Sequence, residues 1–404
     1  MALAVEIQDA IERSSWIRKM FEEGARLKAL HGPDKVYDFS LGNPDLEPPK
    51  EFRQVLASVI AELPTGAHGY MPNGGYEETR AAVADYVNQE QGVRVESEHV
   101  VMTCGAAGAL NCIFKALLDP GDEVVVSAPY FVEYGFYADN HGGQIRVVST
   151  REDFTLDPAA IERAINLKTK VILINSPNNP SGQVYDRASL QQLGDLLAAT
   201  SKKLNRTIYL VSDEPYRKIV YDGFEVPSIF EAYHNSIVAT SYSKDISLPG
   251  ERLGYLVVHP QADEVKGLLG GFVLANRILG FVNAPALMQR VITHLQGVCV
   301  DVRVYQDRRD LFYRGLADVG YALVKPRGAF YLFPKSPVAD DVSFVRLLQE
   351  ENILVVPGSG FGSPGHFRIA YCVGNKTIES AMPGFARARK RALEKAQGVE
   401  SDDR

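Results

Sequence analysis

The stretch KVILINSPNNPSG, residues 170–182, opens with an unbroken apolar run and closes on a cluster of Asn, Pro, Ser and Gly. A strand covered on one face alternates apolar and polar residues. A continuous apolar run is the pattern of a strand buried on both faces, as in a parallel sheet clad by helices. Working outward, the pattern recurs in HVVMT (99–103), EVVVSAPY (123–130), TIYLVSD (207–213) and SIVATS (236–241), with longer helical patterns between. The fold class is therefore α/β: a large domain on a mainly parallel sheet flanked by helices.

After about residue 290 the rhythm changes. A long polar helix through VYQDRRDLFYRGLADVG (304–320) is followed by GAFYLFP (328–334), a helix at SFVRLLQEE (343–351), the run NILVVPGSGFG (352–362), HFRIAYC (366–372) and a last helix. This predicts a smaller α+β domain. The expected division is an N-terminal arm with part of the small domain (1–46), a large domain (47–290) and a small C-terminal domain (291–404). DFSLGNPDLEPP (38–49) is rich in turn residues and reads as an extended arm crossing between domains.

The bulk numbers exclude several classes. The chain has 404 residues, 46% hydrophobic and 23% charged, the composition of an ordinary globular protein long enough for two or three domains. A net charge of -7 gives no field for nucleic acid or an anionic bilayer, and the basic run RARKRALEK (387–395) reads as the solvated face of a terminal helix. No apolar run approaches the roughly 18 residues that cross a membrane, so a soluble, cytoplasmic protein is expected. Cys104, Cys112, Cys299 and Cys372 lack the spacing of a metal site or disulfide framework and are expected to be small buried hydrophobes. The eight histidines form no paired ligand motif, so no metal is expected.

In open parallel sheets chemistry collects beyond the carboxyl ends of the strands. After HVVMT, Gly105 in CGAAGAL (104–110) allows a tight turn, and the N–H groups beyond it open a helix able to hold a phosphate. The NSPNNPSG cluster (175–182) follows the KVILI run and, taken singly, is a turn. TIYLVSD runs into SDEPYRK (212–218), placing Asp213, Glu214 and Tyr216 at a strand end, where a buried carboxylate needs a cation or donors. SIVATS runs into SYSKDISLPGERLGY (241–255), where Lys244 stands among hydroxyls and an acid with Arg252 downstream. An amine whose pKa is depressed becomes a nucleophile, and Ser241, Ser243 and Arg252 suit a phosphate beside it. Each element alone also fits a structural role: a helix start, a turn, a buried ion pair, a solvated lysine.

Together, and in this order, these motifs resemble the class I and II aminotransferases among the fold type I pyridoxal-phosphate enzymes, from about DFSLGNPD to FRIAYC. The resemblance implies a seven-stranded sheet, pyridoxal 5'-phosphate as cofactor and a homodimer with shared active sites. It implies that Lys244 forms the Schiff base with the cofactor and shuttles the proton. Asp213 would pair with the ring nitrogen, and Tyr216 and Asn179 would reach the ring hydroxyl. Phe131 in PYFVEY would stack on the ring. Gly105, Ala106, Ala107, Ser241 and Arg252 would hold the phosphate, with Tyr70 of GYMPNGGYEETR reaching it from the neighbouring subunit. Arg368 in HFRIAYC would clamp the substrate carboxylate, a task for a planar fork, and Gly42 would lie close to the substrate.

The implied reaction is ping-pong transfer of an amino group from an L-amino acid to a 2-oxo acid such as 2-oxoglutarate. The alternatives are a carbon–sulfur lyase or aminocyclopropane-carboxylate synthase of the same fold, and, less favoured, an inactive or regulatory relative, since Lys244, Asp213 and Arg368 are all present. Donor specificity stays open. Ala107 stands where some aspartate-specific members carry a lysine, and Arg277 in NRILGFVNAP (276–285) is displaced by one residue from the arginine that others use. Trp16 and Ile17 in SSWIRKM (14–20) fit either a closing flap or an ordinary helix core. GSGFGSPG (358–365) has neither the spacing nor the C-terminal helix of a dinucleotide fingerprint and reads as a turn.

Overall fold

The computed structural model describes residues 3, 4, 7, 8, 11 and 16–398 of the chain, without the side chains of residues 17–19 and 21. The five apolar runs form strands of a seven-stranded sheet, four of them interior and Val100–Thr103 at one edge. Its strands are β2 (Val100–Thr103), β3 (Glu123–Ala128), β4 (Gln144–Ser149), β5 (Thr169–Asn175), β6 (Tyr209–Asp213), β7 (Ser236–Ser241) and β8 (Gly254–Val258). They are ordered β2-β8-β7-β6-β5-β3-β4. Only β8 runs antiparallel to its neighbours, β2 and β7. The inner strands β5 and β6 are buried almost throughout, as continuous apolar runs require.

Two hydrophobic clusters sandwich this sheet. One holds Val125, Ile172, Leu210 and Val257 against Leu193, Leu197 and Ile292; the other holds Val124, Val171, Val211 and Leu256 against Ile113, Phe114 and Phe272. Alternate residues of each strand thus serve opposite clusters. A third cluster gathers the C-terminal elements: the helices Val302–Val319, Asp341–Glu350 and Asn375–Ala396, and a three-stranded sheet. That sheet orders β11 (Val356–Pro357), β12 (Phe367–Ala370) and β9 (Tyr331–Leu332), all antiparallel. The arm joins this region through β1 (Tyr37–Asp38), which pairs in parallel with β10 (Ile353–Leu354) as a separate two-stranded sheet.

GSGFGSPG is a tight turn, as its composition implies. Gly358–Phe361 form one short 3-10 helix, ended by Gly362 with a positive φ of 70°. The cysteine expectation holds for Cys112 and Cys372 only. Cys104 and Cys299 are partly exposed because Cys104 sits in the turn that opens the helix Gly105–Leu117 and Cys299 in a loop; all four are free thiols. Trp16 packs against the third cluster beside Gly360, whereas the side chain of Ile17 lies outside the described residues. Among the described residues no helix is long and apolar enough to cross a membrane, and no group of three potential ligands could hold a metal ion.

Because β8 runs opposite to its neighbours, its first residue lies at the same sheet edge as the last residues of β2 and β7: Thr103 pairs with Gly254, and Ser241 with Gly254. Gly254 is confined there. A Cβ on it would overlap Thr240 O and come within 2.8 Å of Gly105 Cα. Gly254→Ala is therefore expected to destabilise the fold by about 1–3 kcal/mol, the usual cost of overpacking. A urea unfolding midpoint indistinguishable from that of the unaltered chain would show that the strand edge has room that the packing denies.

Candidate active site

At this edge the chain leaves five strands in sequence-separated loops that converge on one cavity of about 310 Å³. Ala106 and Ala107 follow β2, Phe131 follows β3, Asn179 follows β5, Asp213 and Tyr216 come with β6, and Ser241 and Lys244 come with β7; all line the cavity. Arg252 precedes β8, Gly42 comes from the arm and Arg368 from β12. Gly105 stands just behind, with a φ of 72° and an Arg252 Nη2 atom 3.1 Å from where its Cβ would be. A side chain at 105 would thus be strained and would crowd the guanidinium.

The carboxylate of Asp213 is buried. One oxygen accepts from Tyr134 OH at 2.6 Å, while the other, Oδ1, has no hydrogen-bond partner. Burial raises its pKa to about 7, with Tyr134 opposing and neighbouring Glu214 adding to the rise. Asn175, the last residue of β5, donates to the backbone carbonyl of Asp213 at 2.8 Å and accepts from Asn179 N at 2.7 Å. The backbone therefore presents Asp213 and Asn179 from adjacent strands in fixed relation. Glu214 turns to the other side, taking hydrogen bonds from Arg217 at 3.0 Å and Gln91 at 3.2 Å. It is a structural ion pair, so the two acids at this strand end have separate fates.

Lys244 and Asp245 repeat the division. Asp245 turns away to pair with Lys218 at 2.8 Å. The Lys244 amine donates to Gly42 O at 2.7 Å. Its pKa falls to about 8, chiefly through burial; Cys372 opposes the fall, and Arg368 and Arg252 add to it. Such an amine is still mostly protonated near physiological pH, but roughly a fifth of it is neutral at about pH 7.4, against about a thousandth of an ordinary lysine.

Arg368 is only 2% exposed. Its Nη1 donates to Asn179 Oδ1 at 3.0 Å and Nη2 to Ser40 O at 2.5 Å, while Nε has no partner. The guanidinium lies 4.8 Å from the ring centroids of both Tyr331 and Phe361, and burial lowers its pKa. Arg252 holds a left-handed conformation, φ 54°, and donates to Pro249 O at 2.8 Å. Phe131 is half-buried, edge-on to Tyr134.

Two residues named from the sequence lie elsewhere on the single chain. Tyr70 is 92% exposed and Arg277 is exposed in the last turn of the helix Val265–Ile278; neither lines the cavity. Conversely, sequence reading passed over Tyr134, Asn175 and Tyr331. Asn175 could have been found as the polar residue that ends an otherwise apolar strand, and Tyr134 by its position on the turn of helix after Phe131. Tyr331 is hidden within GAFYLFP, a run that reads as plain core.

The pocket fits pyridoxal phosphate on its own terms. An unpartnered buried carboxylate oxygen calls for a cationic ring nitrogen, a depressed amine suits an aldehyde, and a helix start beside Ser241 and Arg252 suits a phosphate. Asp213 also yields a stability prediction. Its folded pKa exceeds the ordinary 3.8, so between pH 4 and 7 the folded chain binds more protons than the unfolded one, and stability falls as pH rises. Asp213→Asn is expected to raise the melting temperature of the cofactor-free chain more at pH 7.5 than at pH 5. An equal effect at both pH values would mean that the carboxylate is not held near pH 7.

Comparison with known proteins agrees with this geometry. The model of the family "Aminotransferase class I and II" matches residues 34–383. A probable aspartate aminotransferase of Methanocaldococcus jannaschii is 32% identical over 353 residues, 85% of this chain and 91% of the relative. The aspartate/prephenate aminotransferase of Thermus thermophilus is 32% identical over 357 residues, 87% of this chain and 90% of the relative. Among solved structures, an aminotransferase from Eubacterium rectale is 40% identical, with a TM-score of 0.93 over 97% of this chain and 99% of its own. With a match that spans most of the length and a cavity of this make-up, the chain belongs to the class I and II aminotransferases and is an enzyme that transfers amino groups.

Proposed function

We propose that the enzyme binds pyridoxal 5'-phosphate in this cavity and moves the amino group of an L-amino acid to a 2-oxo acid, 2-oxoglutarate in the first instance. The observation that carries the reading is the pairing of a buried, half-partnered Asp213 with a depressed Lys244 amine in one cavity. Bound there, the cofactor supplies a ring that takes up the charge left when the amino acid loses its Cα proton. Asp213 holds the proton on the ring nitrogen. Ser241, Arg252 and the N–H groups of Ala106 and Ala107 beside Gly105 hold the phosphate, Phe131 covers a ring face, and Tyr216 and Asn179 serve the ring oxygen. Lys244 Nζ holds the cofactor at rest and, once displaced by the incoming amine, accepts and returns the Cα proton. Arg368 orients the donor by its carboxylate next to Gly42.

We further propose a homodimer in which the exposed Tyr70 reaches the phosphate of the second copy, and a division into 1–46, 47–290 and 291–404, with the two sheet clusters mainly in the second part and the third cluster mainly in the last. The named relatives point to aspartate as donor. Within the cavity of one chain the cations are Lys244, Arg252 and Arg368, each already assigned, so a second substrate carboxylate would need a further cation. Arg277 of the second copy is the candidate.

The test is the visible spectrum of the cofactor-loaded enzyme with single L-amino acids and no oxo acid. Conversion to the spectrum of the aminated cofactor is expected. Oxo acid and ammonia accumulating without that conversion would mean a lyase. Lys244→Ala is expected to abolish turnover and alter the bound-cofactor spectrum. Arg368→Lys should weaken donor binding by about 1.5–3 kcal/mol, as for a hydrogen bond to a charged group. Arg277→Ala should lower kcat/KM for aspartate and not for alanine; equal losses on both would remove it from side-chain recognition.

A further inference from the structure

Tyr331 has no part in the roles assigned to the other cavity residues, yet contacts converge on it. It lies on β9 beside β12, is 2% exposed and lines the cavity. Its hydroxyl is 2.7 Å from the Tyr216 hydroxyl, and either can donate. A Cβ on Gly42 would collide with that hydroxyl, so Tyr331 occupies the space a side chain at 42 would need. Its ring carries the Arg368 guanidinium at 4.8 Å and meets the Tyr216 ring edge-on at 5.7 Å.

A tyrosine hydroxyl has one proton to donate. When Tyr216 gives its proton to the ring oxygen of the cofactor, it has none for Tyr331. The 2.7 Å contact must then run from Tyr331 OH to the oxygen of Tyr216. A hydroxyl that accepts a hydrogen bond in a buried site donates a stronger one.

We infer that Tyr331 is a positioning residue for transamination: its hydroxyl donates to Tyr216 and strengthens the hydrogen bond of Tyr216 to the cofactor's ring oxygen, while its ring seats Arg368. The inference rests on the reading of Tyr216 as the donor to that oxygen. Its consequence is electrostatic. A donor at the ring oxygen draws off negative charge that otherwise holds a proton on Lys244 Nζ, so the relay lowers the pH at which that proton leaves. The other titratable or charged groups facing Tyr216, Tyr331 and Lys244 are Tyr134, Asp213, Arg252, Arg368 and Cys372, and all are kept in the variants that test the relay.

The experiment is a pH titration of the visible absorption of the cofactor-loaded enzyme for the unaltered chain, Tyr331→Phe, Tyr216→Phe and the double variant. Tyr331→Phe is expected to raise the midpoint by roughly 0.2–0.6 of a pH unit, the share of a charged hydrogen bond that cooperativity supplies. Tyr216→Phe should raise it further, and the double variant should match Tyr216→Phe, because the relay then has nothing to act on. The KM for the reactive amino donor should stay within about twofold in Tyr331→Phe, which keeps the ring, and rise several-fold in Tyr331→Leu, which does not. A shift in Tyr216→Phe with none in Tyr331→Phe, or additive shifts in the double variant, would overturn the relay alone. No shift in Tyr216→Phe would overturn the underlying reading of Tyr216. Should Tyr331→Phe fail to fold, 3-fluorotyrosine at 331 replaces it: the more acidic hydroxyl is expected to lower the midpoint, and a midpoint unchanged or raised overturns the inference.

Discussion

A guanidinium removed from water must find its hydrogen bonds inside the protein, because a buried unpaired charge is among the most unfavourable features a fold can carry. Arg368 finds them by joining parts of the chain that are far apart in sequence. It rises from β12 of the small sheet, reaches Asn179 beyond β5 of the large sheet, and takes Ser40 O from the arm. The aromatic faces of Tyr331 and Phe361 lie beside it, and Nε is left without a partner. Neither partner is an acid, so the positive charge is solvated by dipoles and π-faces rather than neutralised. A site built this way retains attraction for an anion, and that is what a carboxylate clamp requires.

Asp213 and Lys244 line the same cavity and are governed by burial in the same way. Burial pushes the acid up and the base down, so that their pKa values approach each other around neutrality. Each is succeeded in sequence by a second acid, Glu214 or Asp245, that turns to the far side and pairs with Arg217 or Lys218. Asp213 and Glu214 part as adjacent residues at the end of β6, and Lys244 and Asp245 part in the turn beyond β7; in both places one direction leads to the cavity and the other to an anchoring ion pair. The anchored acids are satisfied; the Asp213 carboxylate is left with an oxygen to offer.

Much of this was legible in the sequence because the relevant residues sit where local pattern and topology coincide. Lys244, Asp213 and Asn179 each come at or just after a continuous apolar run, and the rule that parallel sheets concentrate chemistry at strand ends brings them together. β4 was less visible: as an edge strand it mixes Gln144 and Arg146 with its apolar residues, and it lacks a buried run. β8 begins in the last two residues of the stretch that draws attention to Arg252, and its reversed direction cannot be read from composition. The relation between Tyr216 and Tyr331 is a different matter. The two hydroxyls meet across 115 residues of chain, and nothing local to GAFYLFP distinguishes a core tyrosine from one whose tip enters a cavity. The roles proposed for Tyr70 and Arg277 need a second copy, and they belong to surfaces on which a single chain places no constraint.

The arm shows how site and scaffold share donors. Ser40 O accepts from Arg368, Leu41 O lies 3.4 Å from the Cys372 sulfur, Gly42 O accepts from Lys244, and Asp45 accepts from Arg308 at 2.7 Å. Arg368 and Lys244 are also the groups proposed to act on a substrate. A ligand that takes either donor competes with the arm for it, so binding is weakened by whatever that arm contact contributes, and by the same amount the arm is loosened when the ligand is bound. The Asp45–Arg308 pair lies outside the cavity and is not part of that competition. It keeps the arm attached to the helix Val302–Val319 whether or not the cavity is filled. A glycine at 42 completes the arrangement: with no Cβ, the backbone can stand against Tyr331 and still bring its carbonyl to the lysine.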